Sequence, residues 1–153
     1  MPKTVLVADD DDTSREVVMR ALLRAGYAVL STPTRVEAVL FLTEKKVDLL
    51  VIDPEMRGGQ GLGVLQHVSR HHRLSHVPVL VLSRRDARLS NQWAIMFKPF
   101  LSEQLAATVK AMIGDAEPLV RRPTPVAPTG AIALAGLRRS AVDGGSGARP
   151  PKG

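Results

Sequence analysis

The stretch "VLVADDDDT", residues 5–13, runs an apolar segment into four consecutive carboxylates, Asp9, Asp10, Asp11 and Asp12. The apolar part, "TVLVAD" (4–9), has none of the alternation of a strand with one wet face. It suits a strand buried on both faces of a parallel sheet. Two like charges about 4 Å apart repel by roughly 4 kcal/mol at an effective dielectric near 20. Acids fixed at a strand end therefore call for a cation, for protonation, or for splaying into water. "TSREVVMRALLRAG" (13–26) follows, with Val17, Val18, Ala21, Leu22 and Ala25 at helical spacing. Thr13 and Glu16 form a capping-box pattern and Gly26 is a natural stop.

The same unit recurs down the chain. "YAVLST" (27–32) reads as a second strand. "TRVEAVLFLTEKK" (34–46) reads as a second helix, opened by Thr34 with Glu37. "DLLVID" (48–53) is the third and most hydrophobic strand. The Gly-rich loop "PEMRGGQG" (54–61) leads to a helix over "LGVLQHVSRHH" (62–72). "PVLVLS" (78–83) and "AIMF" (94–97) are a fourth and a fifth strand. Ser102 then caps a last helix with Leu105, Val109 and Met112 on one face. Alternation of this kind predicts an α/β fold, a parallel sheet with helices on both sides.

Of 153 residues, 44% are hydrophobic but only 3% aromatic, so the core must be built from aliphatic side chains. The absence of cysteine excludes a disulfide framework and any thiolate metal site. Nothing at the N-terminus resembles a signal peptide, and no apolar run approaches membrane-spanning length, so a cytoplasmic location and no membrane partner are expected. The net charge of +6 is shared between residues 1–113 and the shorter 114–153 segment rather than gathered on one face. Direct DNA binding is not expected from such a distribution. From about residue 114 the chain turns rich in Pro, Gly, Ala and Arg with no lasting period. The expectation is a domain over residues 1–113 and a disordered tail over 114–153.

In open parallel sheets, ligands bind beyond the carboxyl ends of the strands. Those ends carry Asp9 and Asp10, Asp53, Ser83 and Lys98. Clustered carboxylates there make a hard oxygen site suited to Mg²⁺, which takes a few protein oxygens and completes its shell with water and phosphate.

The order "DD", "D", "S", "KPF" resembles the receiver domain of two-component response regulators. "VLVADDDDTSR", "DLLVIDPEMRGGQGL", "VPVLVLS" and "KPF" carry the likeness, which covers residues 3 to about 113. The resemblance implies a doubly wound, flavodoxin-like sheet of five strands in the order 2-1-3-4-5. It implies that Asp53 accepts a phosphoryl group from a sensor histidine kinase or a histidine phosphotransfer protein. Asp10 would hold Mg²⁺ directly, Asp9 through water or by positioning, and Asp53 and the backbone carbonyl of Glu55 would add oxygens. Lys98 and Ser83 would bind the phosphoryl oxygens. Self-phosphotransfer and autodephosphorylation aside, the protein would not be an enzyme, and its signal would pass to a downstream protein target through protein–protein contact.

Three departures stand out. Pro54 follows the acceptor where the family usually has an apolar residue with an amide. Arg57 stands where the family usually has proline. The segment between Ser83 and Lys98 is short by about two helical turns, so the fourth helix is expected to be shortened or missing. That loss motivates a rival reading, a receiver-like binding module that works without phosphorylation. A second rival is an enzyme: Asp9, Asp11 and Thr13 spell the D-x-D-x-T opening of haloacid-dehalogenase-type phosphatases, with Asp9 as nucleophile. It fails downstream, where a further acidic metal motif is needed, and it leaves Asp53 and "KPF" unexplained. His67, His71, His72 and His76 include two i,i+4 pairs. Without a carboxylate or cysteine at fitting spacing they read as a solvated helix end.

Overall fold

The computed structural model describes residues 2–84 and 92–117. Five strands, β1 (Thr4–Ala8), β2 (Ala28–Thr32), β3 (Leu49–Ile52), β4 (Val79–Ser83) and β5 (Ala94–Phe97), form one sheet in the order β2-β1-β3-β4-β5. Every neighbouring pair is parallel. Four helices connect or follow them among the described residues: α1 (Asp12–Arg24), α2 (Arg35–Glu44), α3 (Gln60–Arg70) and α4 (Ser102–Ile113). This is the doubly wound order expected from the resemblance. The shortened helix expected before β5 falls largely on residues 85–91, outside the described residues, as does the expected tail beyond residue 117.

The period of two along each strand explains why β1, β3 and β4 read as unbroken apolar runs. Val5, Val7, Leu49, Val51, Leu80 and Leu82 face one core, closed by Val18 and Leu22 of α1 and Leu105 and Val109 of α4. Leu6, Ala8, Leu50, Ile52, Val79 and Val81 face the other, closed by Ala38 and Leu42 of α2 and Val64 and Val68 of α3. Each fully buried Val or Leu contributes roughly 1.5–3 kcal/mol from removal of apolar surface from water. The core is aliphatic, as the composition requires. Trp93 packs on the rim of the second layer, where the chain re-enters the sheet.

α3 starts and ends two residues before the expected 62–72, and helix caps differ from the sequence reading in two places. Asp11, not Thr13, caps α1: its Oδ1 accepts from the Ser14 amide at 2.9 Å, and Thr13 lies inside the first turn. The chain enters the helix early because Asp9 Oδ1 accepts from the Asp11 amide, folding the acid run back on itself. Leu101, not Ser102, occupies the cap of α4. There the Gln104 side chain accepts from the Leu101 amide at 2.9 Å, and the Gln104 amide donates to the Leu101 carbonyl. Thr34 caps α2 as its spacing suggests, accepting from the Glu37 amide. The packed structure also runs past residue 113. Ala116 is buried, its carbonyl accepts from the Lys3 amide, and the Tyr27 hydroxyl donates to the Gly114 carbonyl at 2.6 Å. Burial pushes the Tyr27 phenol up from its ordinary range, with Asp115 adding to the effect.

Gly61 marks the closest approach of α3 to the site. A Cβ placed there would lie 2.3 Å from the Asp53 carbonyl oxygen and 2.8 Å from the Pro54 backbone. Backbone cannot swing aside as a side-chain tip can. Gly61→Ala is expected to destabilise the protein by about 1–3 kcal/mol in urea unfolding. Equal stability would show that α3 is free to slide away from the Asp53 loop.

Candidate functional site

Sheet order decides which side chains meet. Ala8 pairs with Ile52, and the Asp53 amide donates to the Ala8 carbonyl at 3.0 Å, so Asp9 and Asp53 emerge side by side. Ser83 pairs with Phe97, and the Lys98 amide donates to the Ser83 carbonyl at 2.8 Å. The Lys98 side chain therefore starts at the same edge and reaches inward. Its Nζ lies 3.1 Å from Asp53 Oδ2 and 3.6 Å from Asp9 Oδ2, and donates to Ser14 Oγ at 3.2 Å. Ser83 is fully buried at the end of β4. Glu55 turns back on Asp53, its amide donating to Asp53 Oδ1 at 2.8 Å.

The charges do not balance. The side chains of Asp9, Asp53 and Lys98 are 3%, 12% and 13% exposed, so two carboxylates share one ammonium with little water. Asp9 Oδ1 is taken by the Asp11 amide, and Asp9 Oδ2 is buried without a hydrogen-bond partner. A buried acceptor left unsatisfied costs on the order of 1–3 kcal/mol, more when charged. An orphaned carboxylate oxygen beside a second carboxylate fits a hard divalent cation such as Mg²⁺.

Asp10 is turned elsewhere. Its Oδ2 accepts from the Arg57 amide at 2.9 Å, and Arg57 Nε lies 3.5 Å from the same oxygen. Accordingly, no three His, Asp or Glu side chains converge as a ready-made metal cage among the described residues. Mg²⁺ does not need one, since it is commonly held by one or two carboxylates with water and substrate phosphate.

Ser14, Arg15 and the Asp10–Arg57 contact were not singled out as site features by sequence reasoning. Arg15 Nη1 donates to the Asp9 carbonyl at 2.8 Å and pairs with Asp12, fixing the turn that aims the acids. For Ser14 and Arg15 the available signal was their place in the first turn of α1, directly after the acid run. Asp11 is held below the usual carboxylate range, first by the Ser14 amide and further by the Thr13 amide, Arg84 and Lys98. It serves as a helix cap, which leaves it ill placed as the acid/base of a phosphatase.

At the opposite end of the sheet, His67 and His71 stack with ring centroids 3.8 Å apart, and His71 Nδ1 donates to the His67 carbonyl at the end of α3. Burial lowers the readiness of His67 to take a proton, with repulsion from His71 and Arg35 adding to it. The unfolded chain thus binds that proton more readily than the fold does. Its contribution to stability is intact above the ordinary value of 6.5 and is lost as pH falls through the lowered folded value. His67→Gln is expected to lose less melting temperature than wild type between neutral pH and pH about 5. An identical loss would show that the His67 ring does not sense the fold.

A parallel doubly wound sheet with paired acids, a strand-end aspartate and a lysine on its carboxyl rim defines the receiver class of signalling domains. The chain belongs to the family of the response regulator receiver domain, whose model matches residues 5–110. It is a receiver of two-component signalling. The transcriptional regulatory protein YrkP of Bacillus subtilis is 32% identical over 74% of this chain and 50% of its own length. The polar-differentiation response regulator DivK of Brucella anthropi is 24% identical over 76% of this chain and 100% of its own. The solved structure of a response regulator receiver protein from Burkholderia phymatum superposes with a TM-score of 0.63 at 25% identity, covering 76% of this chain and 99% of that one. The chain spans about half the length of curated relatives such as YrkP and PhoB. No helix among the described residues is long and apolar enough to cross a membrane.

Lys98→Met would leave Asp9 and Asp53 without their shared cation. The expected cost is about 3–5 kcal/mol in urea unfolding without metal, and adding Asp9→Asn should recover much of it. A cost below about 1 kcal/mol would mean that the ammonium is only a surface charge.

Proposed function

We propose that Asp53 accepts a phosphoryl group from a phosphohistidine on a sensor histidine kinase or a histidine phosphotransfer protein. The P–N bond breaks, its electron pair stays on the donor imidazole, and a P–O bond forms to an Asp53 carboxylate oxygen. The observation that carries this reading is the Lys98 ammonium 3.1 Å from Asp53 Oδ2, beside a buried Asp9 oxygen that has no hydrogen-bond partner. A carboxylate is a poor nucleophile towards an anionic phosphoryl group unless charge is neutralised on that group. Lys98 supplies one positive charge at the acceptor. Asp9, Asp10, Asp53 and the Glu55 carbonyl are the oxygens that would hold Mg²⁺. When bound, the ion supplies the remaining neutralisation.

The amide of Glu55 orients Asp53 by taking its Oδ1, leaving Oδ2 toward the ammonium. Ser83 would donate to a phosphoryl oxygen from the end of β4. The product adds negative charge and new acceptor oxygens next to Lys98 and Ser83, enough to bias the rim of the sheet between two arrangements. The output is protein–protein contact with a downstream target, in a cytoplasmic setting. Residues 1–113 carry this chemistry, and residues 114–153 are assigned no part in it.

Incubation with acetyl phosphate and Mg²⁺, read by intact-protein mass, tests the proposal. One phosphoryl group should add to wild type and to Asp11→Asn, and none to Asp53→Asn. Labelling that survives Asp53→Asn would overturn the assignment. No adduct on wild type, under conditions that label another receiver, would favour a binding module independent of phosphorylation.

A further inference from the structure

Arg57 occupies an unusual place for a cation. It opens the short 3₁₀ turn Arg57–Gly59 that follows the buried Met56, and both Gly58 and Gly59 adopt positive φ, at 65° and 75°. That conformation is open to glycine and poor for other residues, so the turn is built to fold tightly here. Met56 anchors its start in the core, and the turn lays residue 57 across Asp10. The Arg57 amide donates to Asp10 Oδ2 at 2.9 Å, and the guanidinium Nε lies 3.5 Å from the same oxygen. The side chain is 89% exposed and free to swing, whereas the carboxylate it faces is 24% exposed.

We propose that Arg57 is a tethered cation competing with the divalent ion for Asp10, and that it thereby sets the Mg²⁺ concentration at which the site loads. The inference rests on the reading of Asp10 as a metal ligand. A cation entering at Asp10 must displace the guanidinium from Oδ2 or tolerate its charge a few ångströms away. Both reduce affinity. Lys98 cannot play this part, because it is occupied by Asp53, Asp9 and Ser14. The absence of a three-acid cage among the described residues agrees with an Asp10 held apart by the Arg57 turn. Loading then means moving an exposed side chain, not rebuilding the rim, so the switch costs little in stability.

Isothermal titration calorimetry of the full chain with Mg²⁺ separates the possibilities. Arg57→Ala keeps the backbone amide on Asp10 and removes only the competing charge. It is expected to bind Mg²⁺ about three- to tenfold more tightly, with Arg57→Lys returning most of the way to wild type. The gap between Arg57→Ala and wild type should narrow as monovalent salt rises, because the competition is exposed and screened. Unchanged or weaker binding by Arg57→Ala, where wild type binds and Asp10→Asn does not, overturns the competition alone. Failure of wild type to bind Mg²⁺, or equal binding by Asp10→Asn, removes the metal reading beneath it. Phosphoryl labelling of Asp53 is scored separately by mass.

Discussion

A single ammonium, Lys98 Nζ, stands between Asp53 Oδ2 at 3.1 Å and Asp9 Oδ2 at 3.6 Å, and the chemistry of the rim depends on that shared ion pair. It answers only half of the negative charge placed there. Buried ion pairs give little net stability, because desolvation offsets most of the attraction. The arrangement is better understood as a site kept short of positive charge than as a brace. The sheet enforces this. Parallel order puts the ends of β1 and β3 next to each other, and β5 sends its lysine back across the end of β4. The backbones that carry the three groups are fixed by the strand pairing. β1, β3 and β4 are buried on both faces, so most of the rim is held by burial rather than by its own contacts.

Much of this was legible in the residues. Runs such as Leu49–Ile52 and Val79–Ser83, separated by helical spacings, fix a parallel sheet because an antiparallel sheet with one wet face would alternate. The strand-end rule then points to Asp9, Asp53, Ser83 and Lys98 without coordinates. What escaped were choices between near-equal local partners. Thr13 and Asp11 are both good caps, and the Asp9–Asp11 turn decides for Asp11. Ser102 has the better capping side chain than Leu101, yet Gln104 reaches back and caps one residue earlier. The packing of Ala116 on the core carries no periodic signal, since it depends on Lys3 and Tyr27 arriving from the other end of the fold.

The Asp10–Arg57 contact was hidden for a different reason. Arg57 stands out in the sequence as a departure that brings a cation near the site, but its partner does not, and it is the turn through Gly58 and Gly59 that sets it against Asp10. The site therefore combines an inner pair that is rigid and buried with an outer pair that is exposed and exchangeable. On the proposed reading, Lys98 stays with Asp53 through transfer while Asp10 exchanges Arg57 for the ion. Such a division would let one rim hold its geometry and still respond to ions in solution.

The most direct test is to trap the acyl phosphate. After treatment with acetyl phosphate and Mg²⁺, borohydride reduces a phosphorylated aspartate to homoserine, and peptide mass spectrometry reads its position. One homoserine is expected, at residue 53. Reduction at residue 9 or 10 instead, or none anywhere in a chain that has taken up phosphate, would contradict it.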